Sequence, residues 1–78
     1  MKEVEFLQFL AENIVDVPEA IHIESQVDEL WTLLTISVDP KDMGILIGKN
    51  GSTIQALRSI LRLRGIKNGK KITLKIAE

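Results

Sequence analysis

The residues best placed to do chemistry lie in Gly44-Ile45-Leu46-Ile47-Gly48-Lys49-Asn50-Gly51-Ser52-Thr53-Ile54, where three glycines fall within eight residues. The centre of this run, Gly48-Lys49-Asn50-Gly51, is a Gly-x-x-Gly turn with a lysine at its tip. Glycine has no Cβ to hold a ligand off, so such a turn lets backbone approach whatever docks there. A helix starting just after it aims unpaired N–H groups and the positive end of its dipole at the same place. Both features suit a phosphate. The chemistry on offer is binding.

Other chemistries find no residues. The chain has no cysteine and a single histidine, His22, so neither a thiolate site nor a histidine-built zinc site can form. No Ser-His-Asp set or paired general acid and base stands out, and no cofactor is expected. Gly44-x-x-x-Gly48-Lys49 approaches a nucleotide-binding P-loop but departs from it. The glycine spacing is one residue short, Asn50 stands where Ser or Thr would hold Mg²⁺, and a helix is expected before the turn where a P-loop has a strand. A purely structural helical joint would explain Asn50-Gly51 as a common turn pair. It leaves the lysine at the tip unexplained.

Charge is divided along the chain. Residues 1–39 hold nine acids and one base, and residues 40–78 hold nine bases and two acids, so a net charge of −1 is the sum of −8 and +7. The second half should present a basic surface to an anionic partner unless the halves neutralise each other in space. No apolar run approaches the roughly 18 residues of a membrane span. The acidic start Met1-Lys2-Glu3-Val4-Glu5 lacks a signal peptide's basic region, so a cytoplasmic protein is expected.

The elements that must position the turn follow from periodicity. Val4, Leu7, Leu10, Ala11 and Ile14 form one helical face over residues 2–15, ended by Asp16-Val17-Pro18. Residues 21–25 alternate as a half-buried strand, and residues 26–29 form a hairpin connection. Residues 30–38 give a second strand with Leu30, Thr32, Leu34, Ile36 and Val38 on one face, and apolar residues on both faces mark it as central. Asp39-Pro40-Lys41-Asp42 opens a short helix with a cap and a capping-box acid, and Met43, Leu46 and Ile47 are expected to face the sheet. Ser52-Thr53-Ile54-Gln55 repeats the capping pattern and starts a helix to about Arg64, stopped at Gly65. Ile54, Leu57, Ile60 and Leu61 form its core stripe, and Gln55, Arg58, Ser59 and Arg62 its polar side. Residues 71–76 alternate as the last strand. The result is a single α+β domain over residues 1–78, with helices covering one face of an open three-stranded sheet.

The run Leu46-Ile47-Gly48-Lys49-Asn50-Gly51-Ser52-Thr53-Ile54 resembles the signature of KH domains, RNA-binding modules built as helix, Gly-x-x-Gly loop, helix. The order αββααβ resembles their type II arrangement. Val38-Asp39-Pro40-Lys41-Asp42-Met43-Gly44, read on through Gly51, resembles the small stand-alone KhpA family, and the likeness covers essentially the whole chain. It implies a clamp on about four nucleotides of single-stranded RNA, with the loop on the sugar–phosphate backbone.

Residue by residue, the resemblance implies that Gly48 and Gly51 allow backbone approach, and that Lys49 and Asn50, beside Ser52, meet phosphates. Leu46, Ile47 and Ile54 would form an apolar floor under the bases, to which Ile45 adds apolar surface beside the loop. Arg58 would reach a phosphate, and Ile36 and Ser37 on the second strand would wall the groove. It implies a homodimer or a heteromer with a larger KH protein of the KhpB type, and a role as RNA chaperone or regulator affecting cell shape and cell-wall growth. Two departures stand out: Ile45 replaces a usual polar or basic residue, and Ile60-Leu61-Arg62-Leu63-Arg64 replaces an Ala-rich run on the helix that pairs in this family. The competing reading is a KH-like protein-interaction module that has lost RNA binding.

Overall fold

In the computed structural model, which describes residues 2–77, the first helical stripe is anchored by Leu7 and Ala11, both fully buried. They belong to α1 (Glu3–Glu12), with Val4, Leu10 and Ile14 packed partly buried around them. The helix ends earlier than its apolar period because Asn13 turns its side-chain amide back to the Phe9 carbonyl at 2.7 Å, closing the last turn. A single 3-10 turn, Pro18–Ala20, leads into the sheet.

Strand β1 (His22–Val27) outruns its expected end, which leaves only residues 28–30 to turn the chain. Asp28 N–H closes that hairpin on the Trp31 carbonyl at 2.8 Å. Strand β2 (Trp31–Ser37) is central, antiparallel to β1 and parallel to β3 (Lys71–Ile76). Thr32, Leu34 and Ile36 alternate inward as expected, and all three are buried. A parallel pair needs a crossover, and the chain supplies it with α2 (Met43–Ile47), the glycine turn and α3 (Ser52–Asn68). Leu46, Ile54, Leu57 and Leu61 join Leu7 and Ala11 in one core against Leu34, Ile36, Ile72 and Leu74, which leaves the other sheet face open.

Several local expectations are corrected. Helix α3 passes through Gly65 and ends at Asn68, with Gly69 in the left-handed conformation (φ 71°) as the cap. Gly65 is needed for packing instead: a Cβ there would run into the Lys70 carbonyl oxygen and lie 3.2 Å from the Ile72 side chain. The buried phase of α3 is accordingly Ile54, Leu57, Leu61 and Gly65, which turns Ile60 partly outward at 39% exposure. In α2 only Leu46 is fully buried, and Ile47 is 41% exposed, because five residues of helix cannot point two neighbours at one sheet. Asp39 caps as expected, accepting from the Lys41 amide at 3.0 Å. Asp42 does not complete a capping box; it is fully buried and accepts from the amides of Asp16 and Val17 at 3.2 and 3.0 Å. Gly51, in the left-handed region, takes the N-cap position of α3, and no side chain caps that helix.

With three helices on one face of a three-stranded mixed sheet in the order αββααβ, the chain has the type II KH arrangement that its sequence resembles.

Candidate nucleic-acid interface

The turn is built by three consecutive demands on backbone geometry. Gly48 sits at φ 77°, ψ 172°, a region open to glycine almost alone, and its N–H donates to the Gly44 carbonyl at 2.8 Å to close α2. A Cβ at Gly48 would overlap the amide and side chain of Thr53, so the turn is held as close to α3 as a glycine allows. Lys49–Gly51 then form one 3-10 turn in which Asn50 takes φ 56°, a left-handed position that asparagine tolerates better than most residues. Gly51 follows at φ 77° and hands the chain into α3. Lys49 and Asn50 open a turn whose first amides have no partner within it, and both side chains are exposed. An α-helix precedes the turn, so the P-loop alternative lacks its strand.

The apolar residues divide into two groups. Ile45 and Ile47 flank the turn with 38% and 41% exposure, and Ser52 is exposed at the start of α3. Leu46 is fully buried and Ile54 is 5% exposed, so both support the turn from the core behind it. Neither Ile36 nor Ser37 borders the α3 cleft. Ile36 has no exposed surface, and Ser37 lies on the opposite sheet face, its hydroxyl 3.4 Å from the His22 carbonyl. As the middle strand, β2 has both edges covered, and the strand facing α3 across open space is β3.

That open space is a cleft of about 310 Å³ between α3 and the free edge of β3, lined by Gln55, Arg58, Ser59 and Arg62 on one side and Ile72, Thr73 and Leu74 on the other. It begins one helical turn beyond Ser52. Arg58 is fixed across it, its Nε donating to the Leu74 carbonyl at 3.2 Å. This bond satisfies an edge-strand carbonyl and holds the guanidinium at the cleft. The β3 wall was missed in the sequence, where the polar side of α3 was visible but its facing strand was not. The signal available was Gly65 followed by a short polar turn, which forces the next strand to lie beside the helix.

The divided charge survives folding. Among the described residues, one Arg–carboxylate pair joins the halves, Arg64 with Glu3 at 3.8 Å, and Arg64 also lies 4.9 Å over the Phe6 ring. Lys49, Arg58 and Arg62 have no carboxylate within 4.0 Å among those residues. The rim of turn and cleft is therefore basic, and no acid lines the cleft. No group of acids and imidazoles that could hold a metal exists among the described residues, and no helix there is long and apolar enough to cross a membrane.

Comparison with known proteins gives this geometry its context. The model of the family described as "KhpA/KhpB, KH domain" matches residues 4–76. Among curated relatives, the RNA-binding protein KhpA of Clostridium perfringens is 35% identical over 92% of this chain and 96% of its own. KhpA of Chlamydia caviae is 35% identical over 95% of each chain, and that of Aquifex aeolicus 32% over 95% and 94%. No solved structure gives a significant match. Each of these relatives is named as an RNA-binding protein. Matched from the first helix to the last strand, this chain belongs to the KhpA/KhpB family of KH-domain RNA-binding proteins.

Proposed function

We propose that the chain binds single-stranded RNA by laying the sugar–phosphate backbone on the Gly48–Gly51 turn and the bases into the α3–β3 cleft. The observation that carries this reading is the exposed Lys49–Asn50 tip set on a turn that only glycine geometry can make, opening onto a cleft with cations and no acids. Backbone amides of the turn and the Lys49 ammonium hold phosphates, while the aliphatic surfaces of Ile45 and Ile47 lie beside the bases. Arg58 contributes charge from its fixed position on Leu74. No aromatic ring borders the cleft, so selectivity among bases is weak, and affinity at one site is modest and salt-dependent.

Such a site gains strength from a second copy. Ile60 and Leu63, 39% and 67% exposed on α3, and Phe9, 57% exposed on α1, are apolar surface for pairing with another copy or with a larger KH protein of the KhpB type. The cellular role that fits the family resemblance is that of a cytoplasmic RNA chaperone or regulator affecting cell shape and cell-wall growth. The alternative, a protein-interaction module without RNA, is favoured only by those exposed apolar residues and Ile45. Ultraviolet crosslinking in cells separates the two: recovery of RNA covalently joined to the protein supports this reading, and a protein recovered free of RNA overturns it.

A further inference from the structure

The basic cleft does not end at Arg62. A second hollow of about 390 Å³ follows it, lined by Arg62, Ile66, Gly69, Lys70, Lys71 and Ile72. It shares Arg62 and Ile72 with the first, so the two are consecutive parts of one path along α3 and the β3 edge. Its walls are aliphatic, Ile66 on the helix with 70% exposure and Ile72 on the strand with 8%. Its rim carries three cations and no acid. Asp28 and Glu29, in the turn before β2, line neither hollow.

The cations at the rim stand on a constrained joint. Because Gly65 lacks a Cβ, α3 closes onto the next strand, and the Lys70 amide reaches the Gly65 carbonyl at 2.8 Å. Gly69 makes the left-handed turn between them, and the Lys71 amide is held by the Leu30 carbonyl at 2.9 Å. Two lysine backbones are thus fixed beside an open apolar slot whose volume falls in the range of small-ligand sites, roughly 300–1,000 Å³. An aliphatic slot ringed by cations suits a flat, weakly polar ring carried on a polyanionic chain.

We infer that this hollow is a further nucleotide subsite, which takes a base between Ile66 and Ile72 and its phosphates on Lys70, Lys71 and Arg62. The inference rests on the RNA reading of the turn, since the strand reaches the hollow by continuing along the cleft. It makes the footprint longer than the turn's own grip of about four nucleotides.

The test compares tetrauridylate with octauridylate by fluorescence anisotropy at fixed salt. The wild-type chain binds the octamer tighter by about tenfold or more. Lys70→Ala with Lys71→Ala, and separately Ile66→Ser, bring the octamer back toward the tetramer and leave the tetramer unchanged. These side chains lie outside the core, and circular dichroism of each variant checks the fold. Equal binding of both lengths by the wild type, or variants that keep the octamer's advantage, overturns the subsite while leaving the turn's role standing. Failure of both lengths to bind overturns the RNA reading and the subsite together.

Discussion

The Asp42 carboxylate reaches back 25 residues to accept the Val17 amide at 3.0 Å, and takes the neighbouring Asp16 amide as well. With no exposed surface of its own, Asp42 ties the segment after α1 to the start of the helix that presents the glycine turn. Asp42→Asn offers only one acceptor oxygen and places an amide N–H₂ group near a backbone N–H. It should cost about 2–3 kcal/mol. Urea unfolding followed by the single tryptophan, Trp31, measures this as a lower midpoint with an unchanged slope.

Two glycines four residues apart should respond in opposite directions. At Gly44 nothing lies within 4 Å of an added Cβ and the backbone is helical, so Gly44→Ala should stabilise by about 0.5–1 kcal/mol. At Gly48 an added Cβ meets both strain at φ 77° and the Thr53 backbone, so Gly48→Ala should cost about 2 kcal/mol or more. The same unfolding experiment reads both.

Thr32 is 2% exposed, and its hydroxyl has no hydrogen-bond partner among the described residues. Thr32→Val keeps the β-branch and removes the buried unpaired hydroxyl. It should raise stability by about 1 kcal/mol, seen as a higher thermal midpoint.

Much of this was legible in the sequence, for identifiable reasons. Period-2 and period-3.6 patterns locate the long helices and the strands, the start signals at Asp39-Pro40 locate the short helix α2, and the last strand matches to the residue. The glycine turn was legible because its residues are demanded by backbone angles, which sequence reports directly. What was hidden depended on tertiary context. Gly65 looks like a helix stop from its neighbours, but the strand it packs against lets the helix continue. Asp42 looks like a local cap, but its partners are distant in sequence. The groove wall that the resemblance implies at Ile36 and Ser37 on β2 depends on strand adjacency, which the sequence does not spell out; the strand beside the α3 cleft is β3.

Salt dependence tests the charge argument. If Lys49 meets one phosphate, Lys49→Ala should reduce the slope of log affinity against log salt by about 0.7, the value for one contact on a single strand. A slope unchanged from wild type would place Lys49 away from the backbone.

The most direct measurement is a filter-binding titration of a single-stranded RNA oligomer against wild type and the double variant Lys49→Asp, Asn50→Asp. Both side chains are exposed at the tip of the turn, so the variant should unfold at nearly the same urea concentration as wild type. The account predicts that it loses RNA binding across the titrated range. A folded double variant that holds RNA as well as wild type would contradict the assignment of the Gly48–Gly51 turn as the RNA-binding site.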